Sequence, residues 1–180
     1  EVENTMDETA LFKLTHGLYV LGAVDEDNGG RLVGSIVDGV MQVANKPLII
    51  ALSCHNRSYT KSCIEKSGRF SLSVLCQSVD PFVVANFGFQ TSEKVDKWAN
   101  VPYFVEDGLP YLKANLAKLE AKVQRVIAYE SNTLFLAELV NSANQDEGKP
   151  LTYNDYRNYF KNDVIKCFTE YKQKGEKNER

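Results

Sequence analysis

Apolar and polar positions alternate along most of this chain in the short period of strands, and they switch to helical spacing only near its end. Residues 18–24 (LYVLGAV) and 32–43 are apolar and β-branched. They flank the cluster Asp25-Glu26-Asp27-Asn28-Gly29-Gly30, a pattern that predicts a β-hairpin with a longer loop. Residues 48–52 form a continuous apolar run opened by Pro47, short enough for a buried strand. Residues 58–66 suit a short helix with Gly68 just past its end, the usual C-terminal stop. Phe70, Leu72 and Val74 then alternate with Ser71, Ser73 and Leu75, which predicts a strand with one wetter face. Residues 81–87 read as a second short helix ending at Gly88, and residues 90–100 as a polar loop.

The segment 116–129 supports two readings. Ala117, Leu119, Ala121 and Val123 alternate with Lys118, Glu120, Lys122 and Gln124 as in a strand, while Leu116, Leu119, Val123 and Val126 fit a helix nearly as well. Residues 133–140 are a strand, and a preceding antiparallel partner would complete a hairpin. Farther on, Tyr153, Tyr156, Phe160, Val164, Cys167 and Tyr171 recur at spacings of three and four, an amphipathic helix. The charged tail 172–180 is expected to fray. Several short strands with few helices imply a mainly β architecture, a barrel decorated by helices, since closure removes exposed strand edges.

Composition narrows the partners. With 180 residues and 43% hydrophobic content, the chain can bury one sizeable core and is expected to be a single domain over residues 1–180. Its 21 basic and 24 acidic residues leave a net charge of −3, so nucleic acid and anionic membrane are poor partners. No apolar run approaches the roughly 20 residues of a membrane span. The opening EVENTMDETALFK is acidic and has no signal-like apolar stretch, so a cytoplasmic location is expected. Cys54, Cys63, Cys76 and Cys167 show no CxxC or CxxH pairing, and His16 and His55 are the only histidines. No metal site is expected, and the cysteines read as reduced, mostly buried thiols.

The stretch 53–60 (SCHNRSYT) is the most promising for chemistry. It gathers hydroxyl, amide and backbone N–H groups on a loop feeding a helix N-terminus, where an anion such as a phosphate is best held. Ser58 and Thr60 equally suit plain helix capping. His55, inside the same loop, can donate to an anion.

Six segments in order resemble the flavin reductase-like family, the FMN-binding split barrels, over residues 11–156. They are LFKLTHGLYVLGA with the VMQV strand end, the block from Ser53 to Leu75, NFGF at 86–89, VDKW at 95–98, TLFLAELV at 133–140 and GKPLTY at 148–153. The likeness is nearest to flavoredoxin and high-molecular-weight-rubredoxin flavin domains. It implies a Greek-key split barrel with peripheral helices and a C-terminal helical extension over residues 153–172. It also favours a strand at 116–129. The resemblance further implies FMN bound near a homodimer interface, with the flavin doing the redox chemistry. Carried onto this sequence, the cofactor-binding positions are Gln42 and Val43 at the ring, and Ser53, Ser58 and Thr60 at the ribityl phosphate, to which His55 is added as a donor from the same loop. Phe87 and Gly88 fall beside the ring, and Asp96 and Lys97 match the pair after the polar loop, Lys97 neutralising phosphate charge. No catalytic side chain is implied.

The sequence departs from the family pattern at several of these places. Asp38-Gly39 replaces Asn-Thr, Ala44 lacks the usual hydroxyl, His55 stands for Asn, Glu93 for Arg, and Asn132 for His. Two function classes are therefore carried forward. One is an electron-transfer flavoprotein that draws on NAD(P)H or a reduced carrier and serves a separate redox protein. The other is a non-enzymatic relative with weakened or lost flavin binding, acting as a ligand-binding or interaction module.

Overall fold

A computed structural model of the chain describes residues 6–178. Residues 1–5, part of the acidic opening, and 179–180, the end of the charged tail, lie outside the described residues. Nine strands are present among the described residues, seven in one antiparallel sheet and two in a separate hairpin. The predicted first hairpin is β1 (Tyr19–Asp25) and β2 (Arg31–Val37), in register from Tyr19 against Val37 to Asp25 against Arg31. Gly29 and Gly30 turn it at φ of 70° and 77°, a left-handed pair that glycine adopts without a Cβ penalty.

The predicted strand over 32–43 is two strands. The chain turns at Asp38-Gly39, and β3 (Val40–Asn45) leaves to pair with β4 (Leu48–His55). The seven-stranded order is β2-β1-β5-β8-β9-β4-β3, with β5 spanning Arg69–Val74, β8 Ala117–Ala128 and β9 Asn132–Asn144. The two edge strands, β2 and β3, are thus consecutive in the chain, yet they do not pair. The curled sheet stays open there, which is the split of the barrel.

The ambiguous segment 116–129 is strand β8, and its pairing with β9 forms the longest hairpin of the fold. The strand reading wins because β8 is paired on both sides: Ala121 lies opposite Phe70 of β5 and Leu139 of β9, and Lys118 opposite Ser73 and Ala143. The prediction of a wetter face on β5 is overturned: Ser71 and Ser73 are buried. Strands β6 (Tyr103–Glu106) and β7 (Leu109–Leu112), absent from the sequence reading, cover that face. Ser71 donates to the Pro110 carbonyl at 2.6 Å, and Leu112 N donates to Ser73 Oγ at 3.1 Å. The two hydroxyls are thereby satisfied without water.

Helix α1 (Tyr59–Ser67) stops at Gly68, whose φ is 70°. Helix α2 (Pro81–Gly88) starts at Asp80, whose carboxylate accepts from Phe82 N. The C-terminal amphipathic segment comprises α3 (Tyr153–Asp155), a π-helical turn (Tyr156–Phe160) and α4 (Lys161–Asn178). Helix α4 continues through most of the tail expected to fray. Its aromatic face lies on α2, with ring centroids of Phe82 and Tyr171 5.0 Å apart and those of Phe89 and Phe168 5.4 Å apart. One core fills the barrel around Leu21, Leu52, Phe70 and Phe135; a second lies under the helices around Phe87, Trp98, Leu112 and Val164.

Candidate functional site

The opening between β2 and β3 holds a cavity of about 490 Å³, within the range of small-molecule sites. Its walls come from the end of β2, the end of β4, the start of α1 and the end of α2. The sheet's failure to close and the position of the cavity have one cause, the turn at Asp38-Gly39. Gly39 lies so near β4 that a Cβ there would meet Ser53 Cβ at 2.9 Å, and Ser53 N donates to its carbonyl at 2.8 Å.

Of the nine sequence-predicted binding residues, Ser53, His55, Ser58, Thr60, Phe87, Gly88 and Lys97 line this cavity. Gln42 and Val43 do not. Val43 is the extra residue of a bulge in β3, both side chains are exposed, and Gln42 Nε2 donates to Asn45 Oδ1 at 2.6 Å. Asp96 is exposed, and its Oδ1 accepts from Ala99 N at 3.2 Å, which makes it a local turn residue. Among the departures, Asp38 and Asn132 line the cavity, whereas Ala44 and Glu93 do not.

Local geometry separates the hydroxyls. Ser58 Oγ accepts from Lys61 N at 3.3 Å and is the N-cap of α1. Thr60 is buried, lines the cavity and makes no such cap. The segment 53–55 is the end of β4 and not a loop, so His55 projects from a strand end, where its Nδ1 accepts from Arg57 N at 3.1 Å. That bond leaves Nε2 as the ring's donor. Asn132, opposite His55 in the β4–β9 register, donates to Ser53 Oγ at 3.3 Å.

Lys97 is the least ordinary group at the site. Its sequence context fits a surface lysine, yet it is 2% exposed, and its ammonium donates to the carbonyls of Gly34 at 2.8 Å and Phe87 at 2.9 Å. Burial lowers its pKa to about 8, because a charged amine is disfavoured away from water. Asn86 fixes the segment that delivers it: its amide donates to the Lys97 carbonyl at 2.8 Å, and its Oδ1 accepts from Asn100 at 3.0 Å. Phe87 packs edge-on against Trp98 at 4.7 Å, and Trp98 Nε1 donates to the Val33 carbonyl at 2.9 Å. Both rings are therefore core groups, with Phe87 also reaching the cavity wall.

Sequence reasoning missed Ser35, Arg57, Thr91 and Ser92, which also line the cavity. Ser92 accepts from Gly34 N at 2.9 Å and donates to Gly34 O at 2.8 Å. Ser35 Oγ is buried without a hydrogen-bond partner. Cys54 also reaches the wall, and burial pushes its thiol up to about 12, so it is a neutral thiol and not a thiolate nucleophile. Among the described residues no group of three His, Cys, Asp or Glu side chains is placed to hold a metal ion, and no helix is long and apolar enough to cross a membrane.

These features suit a polar, anionic ligand with hydrogen-bonding edges. The first N–H groups of α1 and the Arg57 and Lys97 cations favour negative charge, and Ser53 and Thr60 add hydroxyls. Comparison with known proteins places the chain in a family. High molecular weight rubredoxin of Moorella thermoacetica is 33% identical over 153 residues, covering 84% of this chain and 66% of that protein. The chain thus spans just under two thirds of that relative. The NAD(P)H ferric-chelate reductase of Archaeoglobus fulgidus is 32% identical over 153 residues, covering 84% of this chain and 89% of the reductase. The crystal structure of flavoredoxin from Methanosarcina acetivorans superposes with a TM-score of 0.70 at 21% identity, covering 83% of this chain and 81% of its own. The flavin reductase like domain model matches residues 11–162, and with the open seven-stranded sheet this establishes that the chain belongs to the flavin reductase-like family of split-barrel oxidoreductases.

Proposed function

We propose that this chain is an FMN-binding electron-transfer flavoprotein, drawing electrons from NAD(P)H or a reduced carrier and serving a separate redox protein. The observation that carries the reading is the cavity at the barrel split, where the N-terminus of α1, Thr60, Arg57 and Lys97 converge. FMN bound there would supply one- and two-electron chemistry. The chain's own residues bind and orient. Thr60, Arg57 and the α1 N–H groups would hold the phosphate, Ser53 would offer a hydroxyl to polar atoms, and Phe87 would exclude water from one wall. In a relative from Streptomyces globisporus the described activity is NADH:FAD oxidoreductase, and NAD(P)H is named for the ferric-chelate reductase; both support a nicotinamide donor here.

A homodimer is part of this proposal. The aromatic face of the C-terminal helix is not available for it, because α2 covers that face. Exposed apolar residues stand on β3 (Met41, Val43), near the end of β8 (Val126, Ile127), just after it (Tyr129) and in β9 (Val140). Burial of exposed apolar side chains favours association. Dimerisation through β3 would also bring Gln42 and Val43 toward a partner's ligand. A single-domain organisation over residues 1–180 and a cytoplasmic location complete the reading.

Asp38 supports a second reading, in which flavin binding is weak or lost and the domain serves as a ligand-binding or interaction module. A carboxylate in the cavity wall opposes a phosphate-bearing cofactor. The absorption spectrum of protein purified without added flavin, followed by FMN titration, separates the two. Flavin bands in the near-ultraviolet and blue, or saturable FMN binding, support the first reading. Colourless protein that fails to take up FMN overturns it in favour of the second.

A further inference from the structure

The acidic turn of the first hairpin does more than reverse the chain. Asp25, which ends β1, is only 3% exposed, an unusual place for a carboxylate. Three side chains converge on its Oδ2: the Tyr59 hydroxyl donates at 2.7 Å, Asn28 Nδ2 at 2.7 Å and Arg31 Nη2 at 3.5 Å. Burial pushes its pKa up, but these donors outweigh that and hold it below the ordinary value. The group is therefore an anion, paired as a buried charge must be. Tyr59 is its distant partner, 34 positions along the chain, and a hydroxyl donating to a carboxylate is a charge-assisted bond.

Tyr59 is the first residue of α1 and lines the large cavity, whereas Asp25 does not. Its ring packs on the barrel core, with the Arg31 guanidinium 5.8 Å from the ring centroid. The first N–H groups of an α-helix have no partner within it. Ser58 Oγ takes that of Lys61 at 3.3 Å, which leaves those of Tyr59 and Thr60 for the cavity that both residues line. These N–H groups point along the helix axis, so a tether on the first residue fixes the axis at the end where an anion would meet it. Lys66, in the last turn of α1, pairs with Asp27 of the same hairpin turn, and both side chains of that pair are exposed and outside the cavity wall. We propose that Asp25 is a positioning residue: through the Tyr59 hydroxyl it holds the first turn of α1 in the orientation that receives the phosphate of a flavin mononucleotide. This role rests on the proposed function and adds to it a residue that never touches the ligand.

The test titrates FMN and riboflavin, which lacks the phosphate, separately into the whole chain, read by flavin fluorescence quenching with Tm measured alongside. The parent should bind FMN more tightly than riboflavin. Tyr59→Phe keeps the ring and removes the hydroxyl; it should weaken FMN about fivefold, the scale of one hydrogen bond, and leave riboflavin unchanged. Asp25→Asn should act in the same direction; if that variant does not fold, Tyr59→Phe decides alone. Lys66→Gln breaks the other tie between the hairpin and α1, costs little stability as an exposed pair, and should leave the ratio of the two affinities at the parent's value. Equal weakening of both flavins in Tyr59→Phe, a lower Tm with that ratio unchanged, or the same change of ratio in Lys66→Gln would overturn the positioning role and leave the network a structural clamp. A parent that binds both flavins equally puts the phosphate elsewhere and overturns it too. A parent that binds neither flavin overturns the proposed function, and this role with it.

Discussion

The Lys97 ammonium and the Gly34 carbonyl, 63 positions apart in sequence, meet at 2.8 Å in the interior beside the large cavity. Gly34 sits in β2 with no room for a side chain: a Cβ would fall 2.8 Å from the Leu21 carbonyl oxygen and 2.9 Å from the Phe87 ring. Neither neighbour is the free end of a flexible chain. Gly34→Ala is therefore expected to destabilise the fold by about 1–3 kcal/mol, the usual cost of overpacking. Urea unfolding with an unchanged m-value checks it, and an unshifted midpoint refutes it.

Lys97 itself makes stability depend on pH. Its pKa is lowered from 10.5 to about 8 by burial. Below about pH 8 the amine is charged in both states, and the full cost of burying it is present. Between about 8 and 10.5 the unfolded chain still holds a proton that the folded chain has released, so stability rises with pH. Relative to Lys97→Met, the parent should gain of order 3 kcal/mol across that window. Chemical denaturation of both proteins at intervals from pH 7 to about 10.5 measures the difference; a flat difference would show that Lys97 is not the group responsible.

The framework was legible where the local pattern and the tertiary environment agree. The hairpin β1–β2, the helix over 59–67 with its Gly68 stop, and the amphipathic C-terminal helix each bury one periodic face. Reading failed where a distant segment changes what a residue touches. Ser71 and Ser73 alternate like solvent-facing positions, but the β6–β7 hairpin covers them. That hairpin carried its own signal, Asp107-Gly108, with φ of 50° and 78°, the dipeptide favoured in tight hairpin turns. Lys97 looks like any surface lysine until the Asn86 and Trp98 contacts draw it inward. Periodicity ran through Asp38-Gly39 unbroken, so the turn that opens the barrel was hidden from it.

Ser58 and Thr60, equivalent candidates in the sequence, now separate. Ser58 caps α1, so Ser58→Ala should cost about 1 kcal/mol of stability. Thr60 faces the cavity without capping, and Thr60→Ala should weaken FMN by about 1–2 kcal/mol, as for a hydrogen bond to a charged group. Thermal melts and FMN fluorescence quenching on both variants give the two readouts. A Thr60→Ala protein that melts earlier and binds FMN like the parent would reassign Thr60 to packing.

Asp38 decides how far the departures from the family pattern reach the ligand. It lines the cavity, while Ala44 sits beyond the β3 bulge and outside it. A carboxylate there repels a dianionic phosphate and withholds the donor that an asparagine amide would offer. Asp38→Asn removes the charge with little change in volume, and the turn it occupies tolerates asparagine well. It is expected to tighten FMN by about 1 kcal/mol, several-fold in Kd, with a smaller gain at high salt because screening already blunts the repulsion in the parent. Ala44→Thr in the same titration should change FMN affinity far less, since that side chain does not reach the cavity of its own subunit. If Ala44→Thr tightens binding and Asp38→Asn does not, the ligand lies along β3, and the cavity at the barrel split is not its seat.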